Sequence, residues 1–141
     1  MIEIFGKPVP GEKRPFSRAT KAGGLVFVSG HSAPHDPAKG IHRGETPQEQ
    51  VRNSLAFIRK ILADAGSDFS RIVQVTMLIT DRKDYDACNE EYVKHFPNGL
   101  PSRHTVLFGV PTEAKVGFAC IALANEGPMQ SMQGGPDGPQ S

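Results

Sequence analysis

Five histidines, two cysteines, a serine at the end of an apolar run and an arginine at the start of another are the residues through which this 141-residue chain could do chemistry. His31 and His35 stand four apart, a spacing that on a helix would put both imidazoles on one face for a metal. A Pro- and Gly-rich stretch surrounds them instead, and no acid or cysteine sits at a ligand spacing, so no metal site is expected. Cys88 and Cys120 lie too far apart for a zinc motif and are too few for a disulfide framework, which leaves two ordinary buried thiols. Ser29 precedes Gly30, but a nucleophile elbow needs glycines two positions either side, where Phe27 and His31 stand. Such a serine more often hydrogen-bonds the backbone. Gly109 and Gly117 do not form the strand-to-helix turn that cradles a phosphate.

Arg103 is of another kind. It follows a helix stop and a proline and opens the apolar run Thr105–Phe108. A guanidinium at the mouth of a strand can present its planar fork to a carboxylate, with backbone N–H groups nearby for the second oxygen. The plainer role is a surface ion pair.

The elements that must position these residues are legible in outline. Gly24-Leu-Val-Phe-Val-Ser-Gly30 reads as a buried strand, with Phe16–Lys21 as a partner across a turn at Ala22-Gly23-Gly24. His31–Glu45 is a loop. Thr46, Pro47 and Glu49 then spell a capping box with proline at the first helical position. Val51, Leu55, Ile58 and Leu62 form one apolar stripe, Gly66 ends the helix, and Arg52, Arg59 and Lys60 make a solvated face. Ile72–Ile79 is rich in β-branched residues and predicts a strand. A second helix of similar length is expected from about Asp81 or Asp84, with Tyr85, Cys88, Tyr92 and Phe96 inward and Pro97-Asn98-Gly99 as its stop. Strands at Ser102–Phe108 and Val116–Leu123 complete a β-β-α-β-α-β-β order, an α+β domain over residues 1–126 with two helices on one sheet face. Residues 127–141, rich in Gly, Pro, Gln and Ser, predict a flexible tail.

Composition excludes several classes. A formal net charge of +1 with interspersed signs and no tryptophan argues against a nucleic-acid footprint. No run approaches the ~20 apolar residues of a membrane span. Met1-Ile-Glu-Ile-Phe5 lacks the pattern of a signal peptide, so a cytoplasmic protein is expected.

Five segments in order carry a resemblance: Val26-Phe-Val-Ser-Gly-His31, Ala63-Asp-Ala-Gly66, Val73-Gln-Val-Thr-Met-Leu-Ile-Thr-Asp81, Asn89-Glu-Glu-Tyr-Val-Lys-His-Phe96 and Pro101-Ser-Arg-His-Thr-Val106. Together, over about residues 14–125, the chain resembles the RidA/YjgF family of enamine/imine deaminases. The resemblance implies a chorismate-mutase-like α+β fold, assembled as a homotrimer with sites between subunits. It implies hydrolysis of small 2-imino or 2-enamino carboxylates to keto acids and ammonia, without metal or organic cofactor. It assigns Arg103 to the substrate carboxylate, with the Thr105 backbone N–H assisting, and Ser29, Gly30, Phe16 and Asn89 to the pocket.

Four positions depart from the family pattern. Phe16 stands before Ser17 where a tyrosine is common. Ala119 takes the place of the glutamate that orients the attacking water, and Gly117 stands where another acid is often found. A methyl group cannot orient water, which puts ordinary deaminase activity in doubt. His31, where the family often has glutamine, is the first candidate to substitute as a catalytic group; His104 and Glu126 are further ones. His104 adjoins Arg103 on a strand, and adjacent strand residues face opposite sides. A non-catalytic trimer that binds a carboxylate metabolite or a partner protein is the alternative reading.

Overall fold

The computed structural model describes residues 1–125. The expected tail and Glu126 lie outside the described residues.

A six-stranded sheet, with strand order β1-β2-β3-β6-β4-β5, organises the chain. Its strands are β1 (Glu3–Phe5), β2 (Ala19–Ala22), β3 (Leu25–His31), β4 (Ile72–Ile79), β5 (Ser102–Leu107) and β6 (Val116–Leu123). Two helices, α1 (Pro47–Asp64) and α2 (Tyr85–Tyr92), pack on one face. This is the α+β class expected, with one strand more than the sequence pattern marked. β1 has only three residues, too few for a visible alternation, and pairs antiparallel with β2. The partner strand read at Phe16–Lys21 is shifted, because β2 begins only at Ala19.

The β2–β3 hairpin closes at Gly23 and Gly24, both at positive φ (60° and 79°), where side-chain-bearing residues are strained. The start of α1 matches the sequence signal. Thr46 accepts from the Glu49 N–H, the Glu49 carboxylate accepts from the Thr46 N–H, and Pro47 takes the first turn. Gly66 follows the helix at φ 78°. Val51, Leu55, Ile58 and Leu62 are buried against Val26 and Val28 of β3 and against Met77 and Phe118 of the central strands. Burial of each such side chain stabilises by roughly 1.5–3 kcal/mol. Arg52 and Arg59 are not simply solvated: Arg52 meets Glu91 and Arg59 lies over Phe69.

The second helix departs most from expectation. α2 has eight residues against eighteen in α1, flanked by 3₁₀ turns at Arg82–Asp84 and Val93–His95. Cys88 and Tyr92 are buried as expected, but Tyr85 is exposed and Glu91 is buried. α2 also serves as the crossover between β4 and β5, which pair in parallel (Val75 opposite Arg103, Met77 opposite Thr105). The opposite sheet face carries no helix and presents Phe27, Val106 and Leu123, each about two-fifths exposed.

The capping box is the most local of these devices, so it gives a direct check. Thr46→Ala removes one of the two reciprocal bonds and should lower stability by about 1 kcal/mol in urea unfolding, with an unchanged m-value.

Candidate functional site

β5 is an edge strand, and its alternation sends Arg103 and Thr105 to the helix-covered face and His104 to the other. Arg103 therefore meets α2. Its guanidinium carbon lies 4.8 Å from the Tyr92 ring centroid and 5.9 Å from that of Tyr85, and its Nη2 donates to the Tyr85 hydroxyl at 3.4 Å. Among the described residues no carboxylate is within ion-pair distance of it. The guanidinium is held by aromatic faces and keeps most of its N–H donors free.

Two further polar atoms belong to the same helix face. Tyr85, Asn89 and Tyr92 recur at four- and three-residue steps along α2, which places them on one stripe. Asn89 Oδ1 and the Tyr92 hydroxyl are buried without a hydrogen-bond partner. Burial pushes the Tyr92 phenol up to about 12, so it remains a neutral hydroxyl and a donor at physiological pH. Unpaired buried groups beside a free guanidinium are the sort a bound polar ligand would satisfy. Asn89 was expected in a pocket by resemblance. Tyr85 and Tyr92 were missed as site residues, because they read as part of an apolar stripe; two tyrosines seven apart on the crossover helix before Arg103 were the available signal.

Ser29, Gly30, His31 and Phe16 form a second cluster, at the end of β3. Val28 pairs with Cys120 and His31 with Phe118, so Ser29 and Gly30 supply one extra residue, a β-bulge. Ser29 is held through its hydroxyl, which donates to the Ser17 carbonyl at 2.7 Å, and through its N–H, which donates to Arg18 O at 3.0 Å. The bulge reverses the inward alternation of Val26 and Val28, and the His31 ring ends on the helix side. There it sits 5.5 Å from Phe57 and 6.0 Å from Phe16, with Nε2 3.4 Å from Arg18 O. Burial, with a smaller contribution from the Arg18 and Arg14 charges, brings its pKa down to about 4. The imidazole is neutral at pH 7 and a weaker base than an ordinary histidine.

Three strand spacings separate the lines of β5 and β3, roughly 14 Å, so one chain does not bring Arg103 together with His31, Ser29 or Phe16. Ala119 faces away from Arg103. It pairs with Thr76, as does His104, on the helix-free face. Gly117 has a physical reason of its own: a Cβ there would stand 3.0 Å from the His31 carbonyl oxygen and 3.1 Å from Ser32 Oγ. The chain leaving the β3 bulge occupies the space that a side chain at 117 would need.

Comparison with known proteins places this geometry. The family model described as endoribonuclease L-PSP matches residues 8–124. The chain is 38% identical over 112 residues to the mitochondrial protein mmf2 of Schizosaccharomyces pombe, covering 77% of this chain and 86% of that protein. It is 35% identical over 120 residues to the chloroplastic Reactive Intermediate Deaminase A of Arabidopsis thaliana, covering 84% of this chain and 64% of that longer protein. In structure it is similar to a YjgF-family protein of Neisseria meningitidis, at a TM-score of 0.74 and 29% identity, over 90% of this chain and 98% of the other. It is also similar to E. coli TdcF with bound serine, at 0.72 and 29%, over 87% and 99%.

The His31 seat makes a pH-dependent prediction. Its folded pKa of about 4 lies below the ordinary 6.5, so the unfolded chain binds the extra proton first. Its contribution is complete above about pH 6.5 and is lost as pH falls toward 4. The lowered carboxyls of Glu12, Glu49 and Glu91 lose theirs below 4.5. Urea midpoints of wild type should fall between pH 6.5 and 4.5 more steeply than those of His31→Gln; equal slopes would contradict the buried neutral imidazole.

The matched family model spans nearly the whole described chain, and with the relatives just named it shows that this chain belongs to the endoribonuclease L-PSP family, the RidA/YjgF family of its sequence resemblance.

Proposed function

We propose that this protein hydrolyses a small 2-imino or 2-enamino carboxylate to the keto acid and ammonia, with Arg103 as the carboxylate anchor. The observation that carries the reading is the Arg103 guanidinium, fixed on Tyr92 and Tyr85 yet free of any acidic partner among the described residues. A planar fork so held can bind a carboxylate through two parallel N–H bonds. The relative named as a reactive intermediate deaminase, and the serine bound to the E. coli relative (a small 2-amino carboxylate), support the substrate class.

In the reaction, water adds to the imine carbon, the C–N bond breaks, and nitrogen leaves as ammonia with the protons water supplied. Arg103 contributes position, which is worth most when the reacting carbon lies next to the anchored carboxylate. The neutral Tyr92 hydroxyl and Asn89 Oδ1 are available to the same ligand. Ser29, Gly30 and the Thr105 backbone shape the pocket in this reading, and no cofactor is required. A homotrimer completes it: the β3 end of a second copy set against β5 would supply the cluster that one chain holds roughly 14 Å away. The apolar helix-free face supports assembly, and the cytoplasm is the compartment proposed.

A second reading is favoured by Ala119, whose methyl cannot orient water. The protein then binds a carboxylate metabolite or a partner protein in the same fold without turning a substrate over.

Incubation with enzymatically generated 2-iminobutyrate separates the two. Wild type should accelerate hydrolysis, and Arg103→Ala should lose at least about tenfold in kcat/KM. Ala119→Glu should raise kcat, by up to about 10²-fold if general-base help is restored. Saturable carboxylate binding that Arg103→Ala abolishes, without turnover, supports the second reading. Arg103→Ala indistinguishable from wild type in both assays sinks both.

A further inference from the structure

Beyond the cluster at Arg103, a cavity of about 490 Å³ opens between the end of α2 and the start of β4. Its volume falls in the range of small-molecule sites. Phe96, backed by the buried Phe69 on which it stacks with ring centroids 4.9 Å apart, forms an apolar wall with Pro97 and Pro101. Arg59, Lys94 and His95 supply the charged and titratable groups of the lining, and no aspartate or glutamate lines it.

The charges of Arg59 and Lys94 are only partly compensated. The nearest acid in their network is Glu91, buried on α2 outside the cavity, and it is shared three ways: with Arg52 at 3.4 Å, Lys94 at 3.7 Å and His95 at 2.9 Å. Arg59 has no acidic partner among the described residues. Its guanidinium lies 3.9 Å over the Phe69 ring, and among the described residues its one side-chain hydrogen-bond partner is His95 Nδ1, at 3.5 Å. A guanidinium held over an aromatic ring is kept in place without being neutralised, which leaves its N–H groups available to an anion. Lys94 is well exposed, and its long side chain can turn from the shared Glu91 toward the same anion. An apolar aromatic wall with two cations at its rim is complementary to a ligand with an aromatic body and one negative end.

We propose that this groove is a second ligand site, separate from Arg103, which takes a small aromatic carboxylate. The ring of the ligand packs against Phe96 and the neighbouring Pro97 and Pro101, and its carboxylate lies between Arg59 and Lys94. The site asks nothing of Arg103, so it stands whether or not the imine reaction does.

Fluorine NMR titration of the full-length protein with para-fluorophenylacetate tests it, with the neutral para-fluorophenylacetamide as control. The acid should bind saturably in the millimolar range or tighter, and the amide at least about tenfold more weakly. Backbone amide shifts should centre on Asn98 and Gly99, both in the groove lining. Lys94→Gln should weaken binding at least about fivefold and Arg59→Gln further, while Arg103→Ala leaves it unchanged. Lys94→Gln serves as the safe variant, since Glu91 keeps two other partners. Equal affinity for acid and amide, or indifference to Lys94→Gln, would overturn the proposal. So would binding that disappears in Arg103→Ala with shifts near Thr105, which would assign the ligand to the other site.

Discussion

The contact of Arg103 with Tyr92 exists because β5 runs parallel to β4. Parallel neighbours cannot be joined by a tight turn, so the chain must leave the sheet, cross one face and return. α2 is that crossing, and it lands beside the strand it feeds. The alternation of β5 then delivers Arg103 and Thr105 to the α2 side and His104 to the other. Clamp and anchor come from one supersecondary unit, and the remaining sheet, through β6 and α1, holds that unit against a shared core.

A second backbone feature governs the other cluster. The bulge at Ser29–Gly30 shifts the phase of β3, buries His31 beneath Phe16 and Phe57, and leads the chain across β6 at Gly117. Three departures from the family pattern thus meet in one region. His31 loses basicity through burial, and Gly117 makes way for the His31–Ser32 backbone. Phe16 covers the imidazole with a ring that has no hydroxyl to offer. Ala119 belongs to the helix-free face and has no such packing reason; nothing in the structure of one chain explains the loss of an acid there.

Charge on the outer part of the helix layer is arranged around the buried acid Glu91. Glu91 is surrounded by Arg52, Lys94 and His95, and its carboxyl is held below the ordinary range by hydrogen bonds from His95 and Arg52 against the cost of burial. Arg59 is left to the aromatic stack of Phe69, Phe96 and Tyr92, whose far end carries Arg103. Arg59 and Arg103 are therefore both placed by π-faces. That arrangement keeps a cation ordered without neutralising it.

Wherever the cause was local, the sequence was enough. The capping box at Thr46, the four-residue stripe of α1, the glycine hairpin and the bounds of β4 and β6 follow from neighbours in the chain, and each stands in the structure where the pattern put it. The side of β5 that His104 faces is equally local, being a matter of period two. Tertiary structure decided what depends on distant partners. β1 is too short to show a period and exists by pairing with β2. The length of α2 was cut by 3₁₀ turns at both ends, and Tyr85 was turned outward to meet Arg103. The bulge that buries His31 cannot be seen in a run of alternating residues, since one added residue leaves the composition unchanged and inverts the face. Strand order alone separates the His31 and Arg103 clusters, because it is set by which strands pair and not by how they are spelled.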